Sequence, residues 1–231
     1  MSNATLHYIY DPLCGWCYGA APLVSAARKV VAVHAHGGGM MAGRNRQHVS
    51  PQLRGYVTPH DRRITQLTGQ PFGEAYFEGL LRDETALFDS EPPITAVLAA
   101  DAVAGQGLDL LARLQRAHYA EGRRIADALV LHELATEIGL EREAFARAFE
   151  QARGRPTQAH IAASRALLAR VGGGGFPTFA LEREGRLEIV DIGPHLGHSD
   201  AWYAWLSAHL RGAMALSPES AFGCSLDGCA I

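Results

Sequence analysis

The chain has 231 residues, of which 48% are hydrophobic and 19% charged, and its net charge is −3 with neutral histidines. A chain of this length buries roughly 70% of the surface that it exposes when unfolded, so its core needs no disulfide. The small negative charge gives no reason to expect a nucleic acid or an anionic membrane as a partner. No uncharged apolar stretch of ~18 residues is present, so no transmembrane helix is predicted.

The N-terminus lacks the basic region and the longer apolar region of a signal peptide. We therefore expect a cytoplasmic protein, in a compartment where thiols are mostly kept reduced. The chain has four cysteines. In a reducing compartment they indicate redox chemistry or metal binding before structural disulfides.

The first predicted elements follow a β-α-β order. Residues 5–10 are rich in β-branched and aromatic side chains, which predicts a strand, and Asp11-Pro12 ends it. The Ala-rich segment 18–30 predicts a helix, and residues 30–36 predict a second strand. Two parallel strands joined by a right-handed crossover are therefore expected.

The middle of the chain, from residue 47 to residue 168, shows no convincing strand pattern. Its predicted helical segments are 59–67, 72–82, 94–104, 109–119, 127–138, 142–153 and 158–170. We predict that this block forms a helical subdomain inserted into the surrounding unit.

Strands return after the glycine run at 172–175. Residues 176–181 and 186–192 are joined by a short turn and predict an antiparallel hairpin. Residues 199–211 predict a closing helix that carries the apolar Trp202.

The predicted fold is therefore α/β, of the order β-α-β … β-β-α, with a large all-helical insertion. We expect residues 1–46 and 169–214 to form one domain and residues 47–168 to form the insertion. Residues 215–231 form a cysteine-containing tail.

Cys14 and Cys17 enclose a Gly-Trp dipeptide between the first strand and the first helix. A thiol attacks a disulfide only as the thiolate, and the free N–H groups and dipole at a helix N-terminus favour negative charge. We therefore expect Cys14 to be the exposed nucleophile and Cys17 to be the more buried resolving thiol. Trp16 would offer an apolar face to a substrate.

A CxxC pair can also form half of a zinc site. Its position between the strand and the helix of a βαβ unit is instead typical of a thioredoxin-like redox motif. We therefore predict a redox dithiol and no metal at Cys14 and Cys17.

The second element of the predicted site is the segment Gly-Phe-Pro-Thr-Phe at 175–179. A proline that opens a strand removes one ladder hydrogen bond and belongs at an edge or a special turn. The segment resembles the cis-proline loop of the thioredoxin superfamily, in which a proline lies opposite the CxxC pair. With Pro177 in that geometry, the Phe176 backbone would be free to pair with an extended substrate. An ordinary trans proline at a strand start is the alternative.

Together, these segments and residues 67–72 (Leu-Thr-Gly-Gln-Pro-Phe) resemble the DsbA-like family, on the branch of FrnE-type proteins and predicted protein-disulfide isomerases. Residues 10–19 (Tyr-Asp-Pro-Leu-Cys-Gly-Trp-Cys-Tyr-Gly) also carry the resemblance, which covers nearly the whole chain. It implies a thioredoxin-like fold and a thiol–disulfide oxidoreductase or protein-disulfide isomerase.

The same resemblance implies thiol or disulfide substrates, either proteins or small molecules. The dithiol is then the electron carrier, so no dissociable cofactor is required, and glutathione is a candidate co-substrate. Periplasmic DsbA has Pro-His where this chain has Gly-Trp, which leaves the direction of electron flow open.

Cys224 and Cys229 have four residues between them. FrnE-type proteins can carry a similar pair, so a second redox dithiol that relays electrons to Cys14 and Cys17 is one interpretation. A passive disulfide, two free thiols, or a zinc site that joins both pairs are the others.

Two alternative functions belong to other classes. Kappa-class glutathione transferases and related isomerases share the inserted layout and bind glutathione, but they use a serine near the position of Cys14. A non-enzymatic zinc-binding module would use the four cysteines as ligands. The two cysteines of the CxxC pair favour disulfide exchange over both.

Overall fold

The computed structural model describes residues 4–214. In chain order, the strands are β1 (Ala4–Tyr10), β2 (Ala32–Gly37), β3 (Gln47–His48), β4 (Leu87–Phe88), β5 (Thr178–Arg183) and β6 (Arg186–Val190). The helices are α1 (Gly15–Gly19), α2 (Ala21–Ala27), α3 (Pro51–Thr68), α4 (Glu91–Ala104), α5 (Gly107–Tyr119), α6 (Ala128–Glu137), α7 (Arg142–Ala152), α8 (Arg155–Arg170) and α9 (Ser199–Met214). None of these helices combines the length and the apolar character that crossing a membrane requires.

The central sheet has four strands in the order β2-β1-β5-β6. Strands β1 and β2 run parallel, with Thr5 opposite Ala32, and α1 and α2 connect them. Strand β5 lies antiparallel to β1, and β5 and β6 form a hairpin that turns between Arg183 and Arg186. The predicted α/β fold of β-α-β … β-β-α order, with a helical insertion between β2 and β5, is confirmed.

One face of this sheet packs into the hydrophobic core. Side chains alternate along a strand, so Tyr8 and Tyr10 point to the same face, where each is 1% exposed. The ring of Tyr8 lies 4.9 Å from that of Phe179 on β5. Helix α9 covers this face with Trp202, whose Nε1–H donates to the carbonyl of Leu23 at 3.0 Å. The buried indole therefore keeps a hydrogen-bond partner.

Helix α3 begins at Pro51, whereas the sequence predicts a start at residue 59. Ser50 caps it, because its hydroxyl accepts a hydrogen bond from the Leu53 N–H at 3.1 Å. Pro59 lies inside the helix, where proline leaves the carbonyl four residues earlier without its helical partner. That carbonyl belongs to Gly55, which is exposed to water. The helix therefore accommodates a proline that we had interpreted as its first residue.

Strands β3 and β4 lie between residues 47 and 168, where we predicted no strand. The prediction is wrong for these two short strands. Strands β3 and β4 pair antiparallel, with Gln47 opposite Phe88, and the Val49 N–H donates to the Ala86 carbonyl at 2.9 Å. Two residues are too few for an alternation of polar and apolar residues to be recognised. The segment 72–82, which we predicted to be one helix, instead forms a π-helical turn at Ala75–Gly79 followed by a 3₁₀ turn.

His118 of α5 is a titratable residue buried in the core of the helices. It is 2% exposed, and the rings of Phe88, Tyr76 and Tyr119 surround it at 4.7–5.4 Å. Its Nδ1 has no hydrogen-bond partner among the described residues. Burial lowers the pKa of His118 to about 3, although a hydrogen bond with the backbone of Arg123 acts in the opposite direction.

Replacing His118 with phenylalanine should reduce the sensitivity of the fold to acid. The pKa of His118 is about 3 in the folded chain against an ordinary 6.5, so the unfolded state binds more protons between these values. The contribution of His118 to the free energy of unfolding therefore falls as the pH drops, by about 1.4 kcal/mol per pH unit. Denaturant unfolding of wild type and His118→Phe between about pH 4 and pH 7 measures both slopes. Parallel slopes would contradict a neutral, buried His118.

Candidate active site

Cys14 lies directly before helix α1, as the sequence predicted. Its backbone is extended, with φ −95° and ψ 113°, which is the N-cap conformation. Its carbonyl accepts the N–H of Cys17 at 3.0 Å and the N–H of Tyr18 at 3.2 Å. The turn between the cysteines is therefore the first turn of a helix, and it brings the two side chains to the same end of α1.

Helix α3 and the segment that follows it hold this helix in place. The Gln70 side chain donates to the Tyr18 carbonyl at 2.9 Å, and the Tyr18 hydroxyl donates to the Pro71 carbonyl at 3.0 Å. A Cβ on Gly19 would lie 2.7 Å from the Ile64 side chain. Residues 67–72, which contributed to the family resemblance, thus pack on the back of the CxxC turn.

The two thiols are free, and both are largely shielded from solvent. Cys17 is fully buried, as expected, but Cys14 is only 7% exposed and so is less accessible than predicted. The reason is the loop before β5, because the Cys14 Sγ–H donates to the Phe176 carbonyl at 3.4 Å. The same contact occupies the Phe176 carbonyl that we expected to be free for a substrate.

The surroundings of Cys17 favour its protonated form. Burial raises the pKa of the Cys17 thiol well above its usual value, and a hydrogen bond with Cys14 raises it further. The Asp11 N–H donates to Cys17 Sγ at 3.4 Å and lowers the pKa only in part. The Tyr8 hydroxyl donates to the Cys17 carbonyl at 3.2 Å and fixes the backbone behind the thiol.

The loop opposite the thiols contains a cis peptide bond between Phe176 and Pro177, so the predicted cis-proline is confirmed. The Phe176 ring lies against Gly38, which follows β2, because a Cβ on Gly38 would lie 2.1 Å from the ring. Trp16 is partly buried and packs against the core rather than standing free of it. The structure thus brings Cys14, Cys17 and the Phe176–Pro177 loop together.

Asp11 is a buried carboxylate that the sequence analysis treated only as a strand breaker. It is completely inaccessible to solvent and accepts hydrogen bonds from the Leu13 N–H and the Ser90 hydroxyl, both at 2.9 Å, and from the Met40 N–H at 2.5 Å. Burial raises the pKa of Asp11 to about 6, while these bonds and the charge of Arg165 lower it. No signal in the sequence marked this role, since two of the three donors, Met40 and Ser90, lie far along the chain.

Asp61 of α3 is a second carboxylate that the sequence analysis missed. It is 4% exposed, and a Cβ on Gly15 would lie 2.5 Å from its Oδ1, so the carboxylate touches the CxxC turn. The Tyr76 hydroxyl donates to its Oδ2 at 2.8 Å. Burial raises the pKa of Asp61 to about 7, and the bond from Tyr76 lowers it in part.

The second cysteine pair, Cys224 and Cys229, lies outside the described residues, so its role stays a prediction. Within residues 4–214, no three histidine, cysteine or acidic side chains are grouped so that they could hold a metal ion. The geometry described above is therefore that of one dithiol next to a cis-proline loop.

A scan of protein-family models and a search of curated proteins gave no match. Among solved structures, the chain is similar to the cytosolic disulfide reductase DsbM from Pseudomonas aeruginosa, with 60% identity and a TM-score of 0.85, over 90% of this chain and 98% of that one. The chain belongs to the DsbA-like family of disulfide oxidoreductases. Like other members of that family, it is a thiol–disulfide oxidoreductase with a CxxC pair, and the transferase and zinc-module alternatives are not favoured.

Two further structures support this membership. The first is DsbM from Pseudomonas aeruginosa with GSH, at 57% identity and a TM-score of 0.84, over 90% of this chain and 99% of that one. The second is a candidate protein disulfide isomerase from Nitrosomonas europaea, at 25% identity and a TM-score of 0.73, over 89% and 98% of the two chains. The DsbA-like fold thus extends over nine-tenths of this oxidoreductase.

Replacing Gly38 with alanine should disturb the cis-proline loop. The added methyl group would overlap the Phe176 ring, so Phe176 must move away from Gly38, which should disturb the contact between its carbonyl and Cys14. We expect a loss of about 1–3 kcal/mol in stability and a roughly tenfold or larger drop in the rate of disulfide exchange. Denaturant unfolding and an insulin-reduction assay measure the two effects.

Gly55→Ala is the matched control, because no atom lies within 4 Å of a Cβ at that position on the exposed side of α3. An alanine inside a helix should stabilise the fold by about 0.5–1 kcal/mol without changing exchange. If Gly38→Ala exchanged disulfides as fast as wild type, the contact between Gly38 and Phe176 would have no part in holding the loop.

Proposed function

We propose that this protein is a cytoplasmic disulfide reductase that uses glutathione as its electron donor. The single observation that carries the proposal is the 3.4 Å hydrogen bond between Cys14 Sγ and the Phe176 carbonyl. This contact supports the proposal, because the chain of a disulfide substrate could pair with the Phe176 backbone next to the Cys14 thiol. The similarity to a cytosolic disulfide reductase, and to its structure with GSH, supports the direction of electron flow and the choice of thiol.

In the proposed reaction, the Cys14 thiolate attacks one sulfur of the substrate disulfide. A Cys14–substrate disulfide forms and the other substrate sulfur leaves as a thiolate, which takes up a proton. The Cys17 thiol then loses its proton and attacks Cys14 Sγ, which releases the second substrate thiol. Cys14 and Cys17 end as a disulfide, and the substrate has gained two electrons and two protons.

Glutathione would then restore the dithiol in two further exchanges. One glutathione thiolate attacks Cys14 Sγ, which forms a Cys14–glutathione disulfide and returns Cys17 as a thiol. A second glutathione attacks the glutathione sulfur, so that glutathione disulfide leaves and Cys14 is free again. No other cofactor enters this cycle.

The burial of the two thiols supports this assignment of roles. Cys17 is fully buried, and its raised pKa keeps it as a thiol until an adjacent disulfide forms. Cys14 keeps a small exposed fraction, so a substrate sulfur can reach it once the Phe176 loop exchanges its bond with Cys14 for one with the substrate. Phe176 and Pro177 would hold the substrate backbone, and Trp16 would line the adjoining apolar surface.

Serine variants of the two cysteines test these roles. Cys14→Ser should abolish glutathione-dependent reduction of insulin, because the hydroxyl does not attack a disulfide at neutral pH. Cys17→Ser should form a disulfide with glutathione at Cys14 and retain it, since the resolving thiol is missing. Intact-protein mass spectrometry after incubation with glutathione disulfide detects that adduct, and a glutathione-reductase-coupled assay follows turnover.

Cys224→Ser is the matched control, since it removes a thiol outside the CxxC pair. We expect it to reduce insulin at the wild-type rate, because the cycle above is complete with Cys14 and Cys17. A slower rate would indicate that the second pair relays electrons. Full activity of Cys14→Ser would overturn the proposed function altogether.

A further inference from the structure

A cleft of about 600 Å³ lies along the outer edge of β2, away from the two thiols. Within residues 4–214, β1 is the only strand that pairs with β2, so β2 is an edge strand. Helix α4 and the start of α5 contribute residues to the same cleft, whose apolar lining is formed by Val31, Val33, Val97, Leu98 and Leu108. Its volume is in the range of ligand-binding clefts, and we call it the β2-edge cleft.

The backbone of β2 directs hydrogen-bonding groups into this cleft. The Gly37 N–H points away from β1, because it donates to His160 Nε2 at 3.0 Å. Successive residues of a strand present their N–H and C=O groups to opposite sides, so Val33 and Ala35 share the outward direction of Gly37. Apart from the bond at Gly37, no hydrogen bond to a described residue forms on this side of β2. The backbone of another extended segment is the natural partner of such an edge.

The charges in the cleft favour a basic partner. Asp101 is exposed and takes part in no ion pair within the described chain. Arg28 does not neutralise it, because both of its terminal nitrogens bond to Asp109, at 2.6 and 2.9 Å. Burial lowers the pKa of His36 to about 4 and also lowers the pKa of His160, so neither is a cation at neutral pH.

One end of the cleft lies next to the cis-proline loop. The residue after Gly37 is Gly38, which lies against the Phe176 ring. The Phe176 carbonyl in turn accepts the Cys14 thiol at 3.4 Å. A chain that binds along β2 and leaves the cleft at Gly37 is therefore directed toward the reacting thiol.

We propose that the β2-edge cleft binds an extended, basic segment of a protein disulfide substrate, which pairs with Val33 and Ala35 as an added strand. Its apolar side chains contact the valines and leucines of the cleft, and a lysine or arginine meets Asp101. Binding remote from the sulfur atoms then favours proteins over small disulfides. This inference rests on the proposed function, since Cys14 reduces the disulfide that the segment carries.

Peptide disulfides of defined sequence are the probes. Each peptide of about twelve residues spans about 40 Å when extended and consists of threonine and valine with either lysines or glutamates. A cysteine at its first or last position forms a mixed disulfide with 2-mercaptoethanol, and bis(2-hydroxyethyl) disulfide is the small substrate with the same thiol. With wild type, we expect a KM for the lysine peptides that is about tenfold below that of the small disulfide.

Val33→Pro removes one outward N–H, and proline is tolerated on an edge strand. The KM for both kinds of peptide should rise about tenfold, while the small disulfide is reduced at the wild-type rate. Val33→Thr is the matched control, because threonine has a similar shape and keeps the N–H. An unchanged KM in Val33→Pro, or an equal rise in both variants, would show that no strand is added at β2.

Asp101→Lys tests the charge of the segment, and its exposed position keeps the proposal testable if Val33→Pro does not fold. The KM should rise for lysine peptides and fall for glutamate peptides, each by about threefold. Glu84→Lys makes the same change of charge at an exposed position outside the cleft, and we expect it to alter neither KM. Equal effects of the two variants would reduce the result to net charge and contradict the inference.

Hydrogen exchange identifies what occupies the edge. The amides of Val33 and Ala35 should exchange rapidly in the free protein and slowly in Cys17→Ser that retains a lysine peptide at Cys14. Protection in the free protein would assign the edge to another segment of this chain, or to a second copy if it grows with concentration, and either result overturns the inference. A wild type that reduces no small disulfide would instead overturn the proposed function.

Discussion

The arrangement of the active site depends on the buried carboxylate of Asp11. It joins three segments that are distant in the sequence: the turn before Cys14 through the Leu13 N–H, the loop after β2 through the Met40 N–H, and the start of α4 through Ser90. The Ser90 hydroxyl in turn accepts the Met41 N–H at 3.0 Å. Hydrogen bonds to an ionised group are roughly twice as strong as neutral ones, so this junction fixes the helical insertion to the edge of the sheet.

The loop after β2 is what connects that junction to the cis-proline loop. The Gly38 N–H donates to the Tyr10 carbonyl at 2.7 Å, so the glycine continues the strand pairing past the end of β2. Its lack of a side chain leaves the space that the Phe176 ring occupies. Arg165 of α8 donates from Nε to the Gly38 carbonyl at 2.7 Å and holds the loop from the other side. Gly38 is thus bonded to Tyr10, in the segment that leads to Cys14, and is packed against Phe176. Through these two contacts it holds the Cys14 thiol and the Phe176 carbonyl next to each other.

The central sheet and the dithiol could be predicted because their signals are local. A run of β-branched residues, a proline turn and a CxxC pair follow one another within residues 4–17, and each has its own physical meaning. The start of α3 was missed because Pro59 suggested a first turn, whereas the cap at Ser50 required knowledge of the Leu53 N–H. Strands β3 and β4 form because tertiary packing buries Val49 and Phe88, which no short window reveals.

The two buried acids could not be predicted for a related reason. Asp61 reaches Gly15 only because α3 packs against α1, and its sequence neighbours are those of an ordinary polar helix. Asp11 was visible as part of an Asp-Pro turn, but its partners at Met40 and Ser90 lie far along the chain. Buried carboxylates of this kind are recognised by their burial and by the partners that packing brings to them, which are properties of the folded chain alone.

Burial of acids at this position has an energetic cost that the fold must offset. The pKa of Asp11 rises from 3.8 to about 6, so the native state binds its proton more tightly than the unfolded state does. Stability therefore falls as the pH rises between these values, by about 3 kcal/mol in total. Asp61 shifts in the same direction, to about 7, and Cys17 is raised as well. A core selected for stability alone would replace such groups with apolar ones. Their concentration around the CxxC pair is typical of an active site, where burial shifts the pKa values of the groups that line it.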